Sequence, residues 1–126
     1  MNFKDKVVIV TGGTRGIGLE VAKSFYEKEA NVIIFGSKKE SVDKTVEELS
    51  KDNILVEGYY PNLNNYQEVV ETIDKIYNKY KKIDVLINNA GISANKKIED
   101  TTSEEFMHIM DININAMYNT SKAVTI

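Results

Sequence analysis

The chain has 126 residues, 42% hydrophobic and 28% charged, which suits one folding unit with its own core and excludes both a multidomain machine and a disordered chain. Its 16 basic and 19 acidic residues leave a net charge of −3, and the lysine pairs Lys38-Lys39, Lys81-Lys82 and Lys96-Lys97 stand apart, so no nucleic-acid partner is expected. Without cysteine there is no disulfide, thiolate metal site or cysteine nucleophile, and no apolar run approaches the roughly 20 residues that span a bilayer. A cytoplasmic protein with no membrane partner is the expectation.

Met1-Asn2-Phe3-Lys4-Asp5-Lys6 lacks the apolar centre and cleavage site of a signal peptide and is expected to be the native start. Val7-Val8-Ile9-Val10 follows, a β-branched run with no polar alternation, as in a strand covered on both faces of a parallel sheet. Similar runs are Val32-Ile33-Ile34-Phe35, Ile54-Leu55-Val56 and Ile83-Asp84-Val85-Leu86-Ile87. The first gap holds Ile17, Val21, Ala22 and Phe25, whose spacing predicts one apolar helix face. The second holds Val42, Val46 and Leu49, with Ser41 as the expected cap. The third holds Tyr66, Val69, Val70, Ile73, Ile76, Tyr77 and Tyr80. A last helix is expected from Ser103, its cap, with Glu104 and Glu105 in the first turn. Pro61 falls just after the third strand, where a missing donor does least harm. Strand and helix thus alternate as β-α-β-α-β-α-β-α, which predicts an α/β fold, the N-terminal half of a Rossmann-type doubly wound parallel sheet.

Directly after the first strand comes Thr11-Gly12-Gly13-Thr14-Arg15-Gly16-Ile17-Gly18, and a helix opens within it. Glycine permits the tight turn and lets the main chain approach a pyrophosphate, which the free N–H groups and positive dipole end of the helix would face. Gly18 would let the helix press against the sheet. No Gly-Lys-Ser/Thr follows, so this is not a Walker loop. Where the second strand ends, the chain reads Phe35-Gly36-Ser37-Lys38-Lys39. A carboxylate there would bind a ribose 2′-hydroxyl and repel a 2′-phosphate. None is present, and Ser37, Lys38 and Arg15 offer donors and positive charge, so NADP is favoured over NAD.

The glycine turn, with Asn88-Asn89-Ala90-Gly91 after the fourth strand and Asn113 in the helix beyond, resembles the short-chain dehydrogenase/reductase family. Within it, the stretch from Met1-Asn2-Phe3 through Gly18, with Asp111-Ile112-Asn113 and Ser121-Lys122-Ala123-Val124, looks most like the bacterial 3-oxoacyl-acyl-carrier-protein reductases of fatty-acid synthesis. The resemblance implies that Gly12, Thr14, Arg15 and Ile17 line the pyrophosphate and adenosine side, with Gly16 and Gly18 completing the turn. Ser37 would lie beside the adenosine ribose, and Asn62-Leu63 beside adenine, where many members carry Asp-Val. Asn89, Ala90 and Gly91 would pass under the nicotinamide-side ribose, while Asn88 braces the sheet. Asn113 matches the asparagine of the catalytic tetrad, which holds a water in the proton relay and supports a lysine. The implied substrate is a small-molecule or acyl-carrier-bound carbonyl compound, and the implied assembly is a homo-oligomer, commonly a tetramer.

The family's serine and Tyr-x-x-x-Lys pair belong on a strand and helix after this point, and only thirteen residues follow Asn113. Residues 1–126 are therefore expected to be a partial NAD(P)-binding domain, truncated before the catalytic segment, able to bind cofactor but inactive alone and with its fourth strand bared as an apolar edge. Tyr118 and Lys122 have the family spacing, but they fall in the wrong helix and are rejected as that pair. His108, among Met107, Ile109 and Met110, reads as structural. A noncatalytic dinucleotide-binding module is the competing expectation. A methyltransferase of similar architecture is disfavoured by the glycine turn and Asn89-Ala90-Gly91.

Overall fold

The structure, a computed structural model, describes residues 2–93 and 95–125. Met1 and Ile126, which close the two terminal stretches read from the sequence, lie outside the described residues. Four strands, β1 (Val7–Thr11), β2 (Asn31–Phe35), β3 (Glu57–Tyr59) and β4 (Val85–Ile87), form one parallel sheet in the order β3-β2-β1-β4. Helices α1 (Gly16–Glu27), α2 (Lys39–Lys51) and α3 (Tyr66–Tyr80) make the crossovers, and α4 (Ser103–Val124) follows β4 after a single 3-10 turn at Ile98–Asp100. The chain steps outward from β1 to β3, then returns to lay β4 on the other side of β1. Sheets of this kind open a crevice at such a reversal, beyond the carboxyl ends of the strands.

The aliphatic runs of β1 and β2 are buried throughout because both faces are covered. Val7, Ile9, Ile33 and Phe35 point to α3 and α4, where Val69, Ile73, Ile76 and Ala123 meet them. Val8, Val10, Val32 and Ile34 point the other way, to Ala22 of α1 and Leu49 of α2. Each such aliphatic side chain stabilises the fold by about 1.5–3 kcal/mol when fully buried, so the two central strands hold the sheet. Residues of β4, at one edge, are all half-buried. Among the described residues no helix is long and apolar enough to cross a membrane.

Several local expectations are corrected. The third strand is Glu57–Tyr59 rather than Ile54-Leu55-Val56. Ile54 still donates its N–H to the Leu49 carbonyl at the exit of α2, and Leu55 is 68% exposed. Register instead sets Gly58 opposite Ile34, where a Cβ would lie 2.3 Å from Val42 Cγ1 of α2. A small residue is required there, and aliphatic content alone does not reveal it. The fourth strand is shorter than its run, because Asp84 meets β1 partly through its carboxylate, which accepts from the Val7 N–H at 2.8 Å.

Ser41 does not cap α2. Lys38 holds that position without a side-chain bond, and the Ser41 carbonyl accepts from the Thr45 hydroxyl at 2.8 Å. Thr102, not Ser103, caps α4, since Thr102 and Glu105 bond each other's backbone reciprocally in a capping box. Ile17 does not share the buried face of α1: it is 77% exposed, because α1 packs through its smaller residues Gly18 and Ala22.

Candidate functional site

The crevice at the reversal is built first by backbone freedom. Gly12 and Gly16 adopt left-handed φ angles of +65° and +56°, which side chains resist. A Cβ on Gly12 would lie 2.9 Å from Asn89 Nδ2 and 3.0 Å from Ala90 Cα, so the turn and the loop after β4 touch closely. Gly18 presses on the turn itself rather than on the sheet, since a Cβ there would lie 2.1 Å from the Gly12 carbonyl oxygen. Gly16 is the opposite case, with nothing within 4 Å of an added Cβ. Space lies open beside the start of α1.

Thr11 stitches the floor. Its hydroxyl accepts from the N–H groups of Asn89 and Ala90 at 3.0 and 2.9 Å and donates to the Ile87 carbonyl at 3.3 Å. Asn89 Nδ2 returns a bond to the Gly12 carbonyl at 3.2 Å. Asn88 braces β4 against α4: its Oδ1 accepts from the Thr120 hydroxyl at 2.6 Å, and its Nδ2 donates to Ser121 Oγ at 3.1 Å. Asn113 pairs with the backbone of Ile92 in both directions, Oδ1 accepting at 2.8 Å and Nδ2 donating at 2.9 Å. That pairing fixes the loop after Gly91, whose added Cβ would lie 3.2 Å from Asn113 Oδ1.

Together these loops enclose a cleft of about 670 Å³. Of the residues singled out by sequence, Gly12, Thr14, Arg15, Gly16, Ile17, Ser37, Asn62, Leu63, Asn89, Ala90, Gly91 and Asn113 line it. Gly18 lies beneath the turn, and Lys38 stands just outside, in the cap position of α2. Sequence reasoning missed Tyr60, Ile92, Ile112 and Ala116 in the walls, and the buried hydroxyl of Thr11 beneath them. Thr11 was visible beside the glycines, but its bonds reach residues nearly eighty positions away and leave no local signal.

Tyr118 and Lys122 do not line the cleft. Lys122 Nζ lies 4.9 Å from the Tyr66 ring centre and 5.7 Å from that of Tyr118, so Lys122 ties α4 to α3 while Tyr118 stays exposed. His108 is exposed on α4, away from the cleft. Among the described residues no cluster of three His, Cys, Asp or Glu could hold a metal.

The start of α1 defines what fits. Arg15 occupies the cap position with extended backbone and no side-chain cap bond, and no acid stands in the first turn. A helix begun this way presents bare N–H groups and the positive end of its dipole, the arrangement that receives an anion such as a diphosphate.

The family model described as short chain dehydrogenase matches residues 6–126. The 3alpha-hydroxysteroid dehydrogenase of Mediterraneibacter gnavus is 41% identical over 98% of this chain and 50% of its own length. The 3-oxoacyl-acyl-carrier-protein reductase FabG of Chlamydia muridarum is 36% identical over 95% of this chain and 49% of its own. A xylitol dehydrogenase solved with bound NAD+ superposes with a TM-score of 0.87 at 27% identity, covering 99% of this chain and 48% of that one. The chain thus spans about half the length of the relatives it matches. With the family model covering nearly the whole chain, the chain belongs to the short chain dehydrogenase family.

Proposed function

We propose that residues 1–126 form the dinucleotide-binding part of an NADP(H)-dependent carbonyl reductase or alcohol dehydrogenase. The observation that carries this reading is the uncapped start of α1, open to the cleft behind Gly12 and Gly16. The diphosphate would rest on the N–H groups there, one nucleoside over the ends of β2 and β3, the other over β4. Ser37 at the end of β2 would face the adenosine ribose, with Arg15 and Lys38 supplying positive charge for a 2′-phosphate and no carboxylate at Gly36 or Ser37 to repel it. Asn62 and Leu63 would flank adenine, and Asn89, Ala90 and Gly91 would underlie the nicotinamide-side ribose. NAD+ in the xylitol dehydrogenase makes NADH the comparison to run.

The chemistry supplied by a bound nicotinamide is hydride transfer to or from a carbon bearing oxygen. Asn113 would hold a water for proton relay: after its two bonds to Ile92 it keeps one N–H and one lone pair for that purpose. Proton donation to the substrate oxygen calls for a further group, by the family pattern a tyrosine with a lysine. Lys122 reaches over Tyr66 of α3 instead, and Tyr118 is exposed. The 126-residue polypeptide would therefore bind dinucleotide without turnover. The hydroxysteroid and oxoacyl names of its relatives mark two ends of one interconversion, a secondary alcohol and a carbonyl, with 3-oxoacyl-acyl-carrier-protein reduction the specific form we favour. Assembly as a homo-oligomer, a tetramer by the family pattern, belongs to the same reading, supported by Phe106, Met107, Ile114 and Met117 exposed along α4.

Calorimetric titration tests the reading. NADPH should bind about tenfold more tightly than NADH, as one or two charge-assisted bonds would give. Equal affinities would remove Arg15, Ser37 and Lys38 as phosphate readers, and no binding of either nucleotide would sink the proposal.

A further inference from the structure

One buried polar side chain beside the cleft is left unexplained by the glycine turn and the strand-end asparagines. Asn119 is 8% exposed, and its Nδ2 donates to the Leu63 carbonyl at 2.8 Å. Asparagine is a poor helix-interior residue, and burying its amide is costly unless its bonds are met. Helical spacing sets Asn113 and Thr120, seven residues apart, on one side of α4, with Asn119 about 100° round the helix from Thr120. The three side chains grip two loops: Asn113 and Thr120 hold the one after β4, at Ile92 and Asn88, and Asn119 holds the one after β3, at Leu63.

The Leu63 loop has its own internal bonds. Asn62 Oδ1 accepts from the Asn64 N–H at 3.0 Å, and Asn65 caps α3 by accepting from the Glu68 N–H. The Leu63 side chain packs against the core of β1, β2 and α3, and the Asn119 amide ties its backbone to α4, with Lys122, one turn further along, above the Tyr66 ring.

Resting on the dinucleotide reading above, we propose that Asn119 is a positioning residue for the adenosine end of the bound dinucleotide, holding Leu63 at the height the base requires. The sheet order separates the two ends of the ligand, with Leu63 beyond β3 and Gly91 beyond β4 on the opposite side of β1. A change at Asn119 should therefore be felt by one nucleoside only.

Titration of the 126-residue chain with AMP and with nicotinamide mononucleotide tests this. Asn119→Asp, which removes the donor at constant shape, and Asn119→Ala should each weaken AMP about tenfold, the worth of one buried hydrogen bond. Nicotinamide mononucleotide should change by less than about twofold, as for a site distant from the substitution. Equal losses for both nucleotides, or undiminished AMP binding by the variants, overturn the positioning role alone. A wild-type chain that binds neither AMP nor NADPH overturns the dinucleotide reading and this role together. Should neither variant fold, nuclear magnetic resonance of the wild type decides: the Asn119 side-chain amide signals should shift on adding AMP and not on adding nicotinamide mononucleotide. Signals unmoved by AMP overturn the role.

Discussion

Helices α1 and α4 begin in opposite ways. At α4, Thr102 accepts from the Glu105 N–H while Glu105 reaches back to the Thr102 N–H, and two acids stand in the first turn. At α1, Arg15 offers no side-chain bond, no acid follows, and two glycines hold the backbone in left-handed conformations around the start. Helix α2 is also uncapped by a side chain, but it carries Glu40 in its first turn. A helix that satisfies its own first donors is a structural element. One that leaves them bare at the reversal point of a parallel sheet suits the dinucleotide proposed above.

Substitutions can break or sharpen this contrast. The largest effect is expected at Gly18, where a side chain would collide with the Gly12 carbonyl; Gly18→Val should destabilise the fold by about 3 kcal/mol, seen as a lower urea midpoint. An unchanged midpoint would mean that the turn is not held by this contact. Gly16→Val meets no atom, so its stability cost should be only the roughly 1–2 kcal/mol of a left-handed residue. Its dinucleotide affinity should nevertheless fall by about a hundredfold, near 2.7 kcal/mol, because the side chain fills the space beside the bare N–H groups. Retained affinity would reduce the turn to a structural device. Thr102→Ala should cost about 1 kcal/mol in thermal or urea unfolding and leave nucleotide binding untouched.

The smallest effect lies at the opposite end of the sheet, where the Glu57 carboxylate accepts from Lys79, Tyr80 and Tyr59. Burial alone would raise its pKa, but those donors together hold it below the ordinary glutamate value. The folded pKa is depressed, so this contribution is present above the ordinary glutamate range and fades as pH falls through the lower folded value. Glu57→Gln should flatten the loss of stability on acidification while nucleotide affinity at neutral pH stays the same. A matching loss of affinity would contradict the separation between this end and the cleft.

Much of this is legible in the sequence. Uninterrupted Val-Ile runs announce strands buried on both faces, and β1 and β2 are found where those runs lie. Asn88, read as a brace, does brace β4 against α4. The third strand was misread because the aliphatic residues 54 and 56 fill the core beside it, while register and the crowding of Val42 select Gly58 for the ladder. The α4 cap falls one residue before Ser103, since Thr102 and not Ser103 has a glutamate three positions on to return the bond. Thr11 and Asn119 carried no sequence signal, because their partners are far along the chain.

The sequence by itself determined the alternation of strand and helix, the parallel sheet class and the place of the glycine turn. Those follow from side-chain period and local backbone freedom, which a short window of residues contains. Only the tertiary structure decided that Ile17 leaves the buried face of α1, that Gly18 presses on its own turn and that α4 grips the loops after both β3 and β4. Such outcomes depend on which distant backbone atoms meet within hydrogen-bond or van der Waals reach, and no local pattern encodes that.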